Sequence, residues 1–401
     1  MFHPNYIEPN KLITNSCIAQ LFQMVERHGG ILRFVGGAVR DAIMGFPHAD
    51  IDLVTDMSPS EFSEMCNDEE VRCVPIGIQF FSLGVIIHDH FFKVTCLSSD
   101  NDSSQDEWKR DASCRDLTIN AVYADDKGNV FDYYNGIEDL KTGSIKFIGK
   151  PLKAIQADPL RIMRFFRFCA MYGKKIDKKS LKCCIENKIL LHSVSLEKIK
   201  EELFKIIVAP YSVRALELIF KYGVLDFILS APKGFEKLEK LDKLVNLLKI
   251  EKDIIRRIYV LFEPTAKRAS RLAAIFKLNK EQKEHLCKLC LAHVSAKDFK
   301  DIVSIRKVIY RYGRNICVDL FLLLNIDNED TYSVSSTLNT LLSIKINDFP
   351  LKGSDLIKLG VSKEHIGLHL EILKNIWFEN GCLLSKDEIL QKYSKNFKYN
   401  V

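Results

Sequence analysis

Two aspartates spaced two residues apart, Asp50 and Asp52, follow a double glycine and an arginine in the stretch LRFVGGAVRDAIMGFPHADIDLVTD, residues 32–56. Along a strand, residues i and i+2 share a face, so these two carboxylates converge. Converging carboxylates suit a pair of Mg²⁺ ions. One ion lowers the pKa of an attacking hydroxyl, and the other neutralises a triphosphate and its leaving pyrophosphate. Gly36-Gly37 places free backbone N–H groups at a helix start, which is an anion seat, and Arg40 adds a forked phosphate donor. The spacing is neither GxxxxGK[ST] nor GxGxxG, so neither a P-loop nor a dinucleotide fold is supported.

A second group of chemically capable residues lies further along the chain. Arg115-Asp116 comes first, followed by Asp158, Arg161, Arg164 and Arg167. The three arginines recur at i, i+3 and i+6, so they drift around one side of a helix. Their apolar neighbours Ile162, Phe165, Phe166 and Phe168 pin that helix to a core and fix the guanidiniums. Asp158 with Arg161 is an acceptor-plus-donor pair able to read a base edge, while Arg164 and Arg167 suit phosphates. Taken singly, each motif also has a structural reading: an ordinary strand–helix turn, solvated strand-end aspartates, a charged surface helix.

The elements that must position these groups are readable in outline. A helix is expected over 12–28, then strand Leu32–Val35, helix Ala38–Met44 and strand Ile51–Val54. Ser58 caps a further helix with Pro59 at its first position. Phe80–Ile87 and Phe91–Cys96 read as a hairpin around His88-Asp89-His90, and the polar segment Ser98–Glu107 as a loop. Leu117–Tyr123 is a short helix or strand, and Val122–Ala124 with Val130–Tyr133 a second hairpin. After residue 145 the strand signal largely disappears. Asp158-Pro159 starts a capped helix, and helical periodicity dominates from 195 to about 390. An α+β head with a mixed sheet, followed by an all-helical remainder, is the expected architecture.

Composition narrows the function classes. The 401 residues suffice for two to four domains, and 47% apolar with 27% charged residues is ordinary for a globular chain. No stretch approaches 18 uninterrupted apolar residues, which argues against membrane spans. The start MFHPNYIEPNKL has no basic segment before an apolar core, so no secretory leader is expected. The 12 cysteines show no framework spacing, and Cys287-Lys-Leu-Cys290 falls in a helical pattern, so free thiols in a reducing, cytoplasmic setting are expected. The net charge of +6 is unevenly placed: residues 141–210 hold 16 Lys and Arg against 6 Asp and Glu, a local +10 that leaves −4 elsewhere. A basic segment beside a metal-phosphate site points to a polyanion such as a nucleic acid.

These motifs together resemble the bacterial class II tRNA nucleotidyltransferase and poly(A) polymerase family, within the DNA polymerase β-like nucleotidyltransferases. The resemblance is carried by VGGAVRD, DIDLVT, CRDLTINAVYAD with FDYYNGIEDL, ADPLRIMRFFRF, and a degenerate SLEKIKEELFKI. RLAAIFKLN, FPLKGSDLIKLGV, IGLHLEILKNIW and LSKDEIL are similar to the C-terminal region of CCA-adding enzymes of alpha-proteobacterial type. The resemblance implies a polymerase β-like head (1–145) and helical neck (146–210), body (211–330) and tail (331–401). It further implies template-independent addition of C, C and A to the 3′ end of tRNA, using CTP, ATP and Mg²⁺, by a monomer or weak homodimer. Poly(A) synthesis, partial CC or A addition, and RNA binding by a catalytically impaired homologue are the alternatives.

By the same resemblance, Asp50 and Asp52 hold the metal, and Asp158 and Arg161 pair with the incoming base. Gly37, Arg40, Arg115, Asp116, Arg164 and Arg167 bind the nucleotide. Four positions depart from the family pattern. Lys93 stands where a glutamate is usual, and a protonated lysine cannot ligate Mg²⁺. Cys114 replaces the first arginine of Arg-Arg-Asp, Ala157 replaces a glutamate, and Ser98 stands where an arginine commonly follows the strand.

Overall fold

The short apolar runs flanking the glycine turn become neighbouring strands of one mixed sheet. The computed structural model describes residues 6–47, 51–76, 82–97 and 107–396, with side chains as far as 394. Asp50, Ser98 and the beginning of the strand expected at Phe80 lie outside the described residues. The chain divides into two units, 1–224 and 225–401.

The first unit begins with α1 (Ser16–Arg27), capped by Asn15, then β1 (Leu32–Val35), α2 (Gly37–Met44) and β2 (Asp52–Thr55). α3 (Pro59–Asp68) follows, its Ser58 and Glu61 forming a capping box. Next come β3 (Arg72–Pro75), β4 (Ser82–Ile87), β5 (His90–Cys96), α4 (Glu107–Cys114), β6 (Val122–Ala124) and β7 (Val130–Asp132). The strands form a seven-stranded sheet in the order β3-β4-β5-β2-β1-β6-β7. All pairings are antiparallel except β2 with β5.

Period-2 alternation splits the head core between the two faces of this sheet. Phe34, Leu53 and Val94 point one way and pack with Phe22, Val39 and Phe62 of the three helices on that side. Val35 and Val54 point the other way, onto Trp108 and Ala112 of α4. Arg33 also reaches this face, its guanidinium 4.1 Å from the Trp108 ring and 3.6 Å from Phe131. α4 is thereby held against the sheet, which matters because it delivers Asp111 and Arg115 to the site.

Beyond the sheet come α5 (Gly136–Thr142), β8 (Ser144–Ile145), α6 (Pro151–Ala157), α7 (Arg161–Tyr172) and β9 (Lys175–Ile176). α8 (Lys178–Glu186), α9 (Leu196–Val208) and α10 (Ser212–Lys221) complete the unit. β8 pairs parallel with β9, a two-residue ladder too short to leave a periodic signal in the sequence. The apolar side of α7 buries Ile162, Phe165 and Phe166, with Phe165 stacked 5.6 Å from Phe147. Asp158 is not the helix cap expected of it: its carboxylate accepts from Leu160 N–H at 3.0 Å within the entering turn, while the regular helix starts at Arg161 and its cap position, Leu160, has no side-chain bond. Pro159 therefore sits in the entering turn rather than at the first helical position.

The second unit is helical throughout its described residues, from Phe235–Leu247 to Lys386–Asn396. Buried charge is paired there: Arg257 with Asp242, and Arg256 with Asp319 at 3.1 Å. Trp377 anchors a C-terminal core with Leu356, Leu373 and Ile389. Cys287 and Cys290 are free, half-buried thiols on the helix Lys280–Leu291. No helix among the described residues is long and apolar enough to cross a membrane.

Candidate active site

Gly36 ends β1 with φ +70° and ψ −120°, a backbone conformation open to glycine and strained for other residues. The turn delivers α2 directly onto the rim of a cavity of about 790 Å³. A side chain at Gly37 would meet only the tip of Arg40, at 3.8 Å, so the space above this helix start is kept for something other than protein. Six cationic side chains (Arg40, Arg115, Arg161, Arg164, Arg167 and Lys205) and four carboxylates (Asp41, Asp52, Asp116 and Asp158) line the cavity. Every described residue singled out in the sequence as a site candidate therefore reaches one place.

The cations are held by a buried polar network. Arg40 donates to the Asn120 side-chain oxygen at 2.6 Å, and Asn120 donates to Asp116 Oδ1 at 2.9 Å. Arg164 Nε donates to Asp116 Oδ2 at 2.6 Å, and Leu117 N–H to Oδ1 at 2.8 Å. Burial pushes the Asp116 carboxyl up. The Arg164 charge and the hydrogen bonds from Asn120, Arg164 and Leu117 outweigh it and hold the group below the usual carboxylate range. Asp116 thus serves as an anchor that ties α7 to the sheet-bearing head. Asn120, Asp41 and Tyr172 were not singled out in the sequence. Tyr172 donates to Asp41 at 2.6 Å, and burial raises its hydroxyl to about 12.

Arg115 is fixed by Asp111 at 2.9 Å and by the Tyr123 hydroxyl at 3.1 Å, while Tyr123 itself donates to Asp111 at 2.5 Å. Burial disfavours the Arg115 charge, but Asp111 and Tyr123 more than restore it. Arg167 behaves oppositely. Burial, with Arg164 and Arg40 nearby, lowers its pKa, and Glu202 at 3.2 Å only partly offsets this. A site that crowds like charges in this way is complementary to a polyanion. Glu202 and Lys205 lie in the degenerate SLEKIKEELFKI stretch but were not singled out there, and Asp111 gave no sequence signal because it lies in an ordinary charged helical pattern.

At the other side of the cavity, Arg161 donates to Cys114 O at 2.8 Å and Ala154 O at 3.4 Å, so backbone carbonyls set its orientation. Asp52, at the start of β2, is exposed, and no donor among the described residues engages it through a hydrogen bond or ion pair. Its register partners are Val35 on β1 and Lys93 on β5. Paired residues on parallel strands share a face, so the exposed Lys93 stands directly beside Asp52. Among the described residues no three His, Cys, Asp or Glu side chains are disposed for a metal ion. The free oxygens of Asp52 suit a hard divalent cation that shares its remaining ligands with a nucleotide.

Comparison with known proteins gives a consistent picture. Residues 32–146 match the family model of the poly A polymerase head domain, and 173–238 that of a probable RNA- and SrmB-binding site of polymerase A. The chain is 30% identical to human mitochondrial CCA tRNA nucleotidyltransferase 1, over 94% of this chain and 90% of that protein. It is 32% identical to an Enterococcus faecalis CCA-adding enzyme over 47% of this chain and 48% of the relative. In structure it resembles the CTP complex of a Bacillus stearothermophilus CCA-adding enzyme (TM-score 0.71, 20% identity, 98% and 99% of the two chains). It also resembles a Thermotoga maritima CCA-adding enzyme complexed with tRNA (TM-score 0.66, 20% identity, 98% and 99%).

Proposed function

Given that the chain belongs to the CCA-adding and poly(A) polymerase family of nucleotidyltransferases, within the polymerase β-like superfamily, we propose that it completes tRNA 3′ ends by adding C, C and A from CTP and ATP without a template. The observation that carries this reading is that Asp52, the Asp158–Arg161 pair and a cluster of cations line one and the same cavity. A carboxylate for a metal, a donor–acceptor pair for a base and guanidiniums for a triphosphate are the three things such a transfer needs.

In this reading the tRNA 3′-hydroxyl gives up its proton to solvent as its oxygen bonds to the α-phosphorus of the nucleotide. The bond from that phosphorus to the bridging oxygen breaks, and pyrophosphate leaves. Magnesium, held by Asp52 together with Asp50, supplies Lewis-acid stabilisation of the phosphoryl oxygens when bound. Arg40, Arg115, Arg164 and Arg167 hold the triphosphate over Gly37, with Asp116 fixing Arg164. Asp158 and Arg161 read the base edge, each already held on one side by backbone groups. The division into head, neck, body and tail at 145, 210 and 330 accompanies this assignment, the neck being the basic segment. The C-terminal helical motifs support the alpha-proteobacterial type of CCA-adding enzyme, acting as a monomer or weak homodimer. Twelve free thiols favour a reducing compartment such as the cytoplasm.

The test is incorporation of labelled CTP and ATP into a tRNA transcript lacking its 3′ CCA, in the presence of Mg²⁺. The expected product gains three nucleotides, requires both substrates and stops. Unlimited extension with ATP alone would establish poly(A) synthesis instead. Tight tRNA binding with no transfer at high enzyme and Mg²⁺ would establish a non-catalytic homologue, the reading that Lys93 beside Asp52 favours.

A further inference from the structure

Resting on that reading, we propose that Phe46 and Lys11 form a separate subsite for the single-stranded 3′ end of the RNA substrate. A nucleobase stacks on the Phe46 ring, and an adjoining phosphate meets the Lys11 ammonium. The argument begins with how α2 ends. Gly45, at φ +73°, donates to Ala42 O at 3.2 Å, and Phe46 N–H donates to Asp41 O at 2.9 Å. These two bonds make a Schellman stop, in which the residue after the glycine ordinarily buries itself against the last turn of the helix. Here that last turn offers Asp41, whose carboxylate is engaged by Arg40 and Tyr172. Phe46 is left 50% exposed, its ring centroid 6.4 Å from that of Tyr172 on α7. It is an aromatic face held by a rigid stop and not buried by the fold.

A second, shallower groove of about 320 Å³ lies on the far side of this residue, lined by Lys11, Thr14, Ala42, Gly45, Phe46 and Pro47. Pro47 also lines the main cavity, so the groove is contiguous with the nucleotide site across the Phe46-Pro47 ridge. An exposed aromatic ring in a groove also lined by a lysine stacks on any base through its face and tracks the backbone charge, with Thr14 the one polar uncharged side chain among the described lining residues. That tolerance suits a strand whose terminal base changes at each addition. The main cavity, by contrast, carries the donor–acceptor groups that discriminate.

The experiment uses the full chain and tRNA transcripts ending before, within and after the CCA positions. Phe46→Ala is expected to weaken binding of a transcript ending in CC on the order of tenfold, measured by anisotropy without nucleotide, while leaving KM for CTP unchanged. Phe46→Trp is expected to restore binding. Its added indole fluorescence should be quenched by that transcript but not by one whose single-stranded 3′ end is removed. Wild-type affinity in a folded Phe46→Ala variant would overturn the proposal, as would a raised KM for CTP with unchanged tRNA binding. Absence of transfer by the wild-type protein would instead count against the enzymatic reading, since the binding and quenching measurements need no turnover.

Discussion

Lys93 illustrates how much depends on a single side chain. Register puts this residue on the strand next to Asp52, on the same exposed face, where a divalent cation is to be held. A fixed positive charge there competes with the cation for the carboxylate and raises the cost of gathering more positive charge. Asp52→Asn is expected to abolish transfer while tRNA binding persists, and measurable turnover in that variant would reject its assignment as the metal ligand. Lys93→Glu should raise kcat on the order of tenfold, equivalent to about 1.4 kcal/mol of barrier, and lower the Mg²⁺ concentration needed for half-maximal rate. An unchanged rate would mean that the two aspartates need no third acid. Lys93 was legible in the sequence as a departure, but its position beside Asp52 required the parallel pairing of β2 with β5.

Among the elements, α7 matters most, because one buried ion pair joins it to the head. Asp116 accepts from Arg164 across the two, and its pKa is depressed from an ordinary value near 3.8. A group whose native pKa lies below its unfolded value contributes stability that is complete above the unfolded pKa. That contribution is lost as pH falls through the native one. The junction should therefore hold from neutrality down to about pH 4 and loosen below it. Asp116→Ala, which leaves Arg164 without its partner, is expected to cost about 2–3 kcal/mol in urea unfolding, a reduced figure because Arg164 is partly exposed. It should also flatten the acid limb of the stability–pH profile. A wild-type profile in this variant would show that the anchor lies elsewhere. The helix itself was readable from its apolar spacing and its Asp-Pro start. Its tie to Asp116 was not, because Asn120 and Asp116 meet Arg40 and Arg164 only after the chain has crossed the sheet.

Across the whole molecule, charge is distributed for a polyanion. The +10 segment at 141–210 lies in a chain of net +6, so association with tRNA should be strongly salt-dependent. The logarithm of the tRNA association constant is expected to fall linearly with the logarithm of salt concentration. Several phosphate contacts would give a slope of magnitude about 3–6, and removing two lysines from the segment should reduce that magnitude by about 1–2. A slope near zero would show that the segment is only a solvated face.

By itself the sequence determined the inventory of chemical groups, the α+β order of elements and the sites of the turns. These follow from local rules: glycine where φ is positive, alternation along strands, caps before helices. The tertiary structure decided which groups are spent and which are left to act. Asp116 is consumed in an internal network, Asp52 is left open beside Lys93, and Phe46 is held half-exposed at the end of α2. The reason is that strand register and helix docking are set by burying two sheet faces at once. That condition couples residues far apart in the chain and leaves no periodic trace within any one segment.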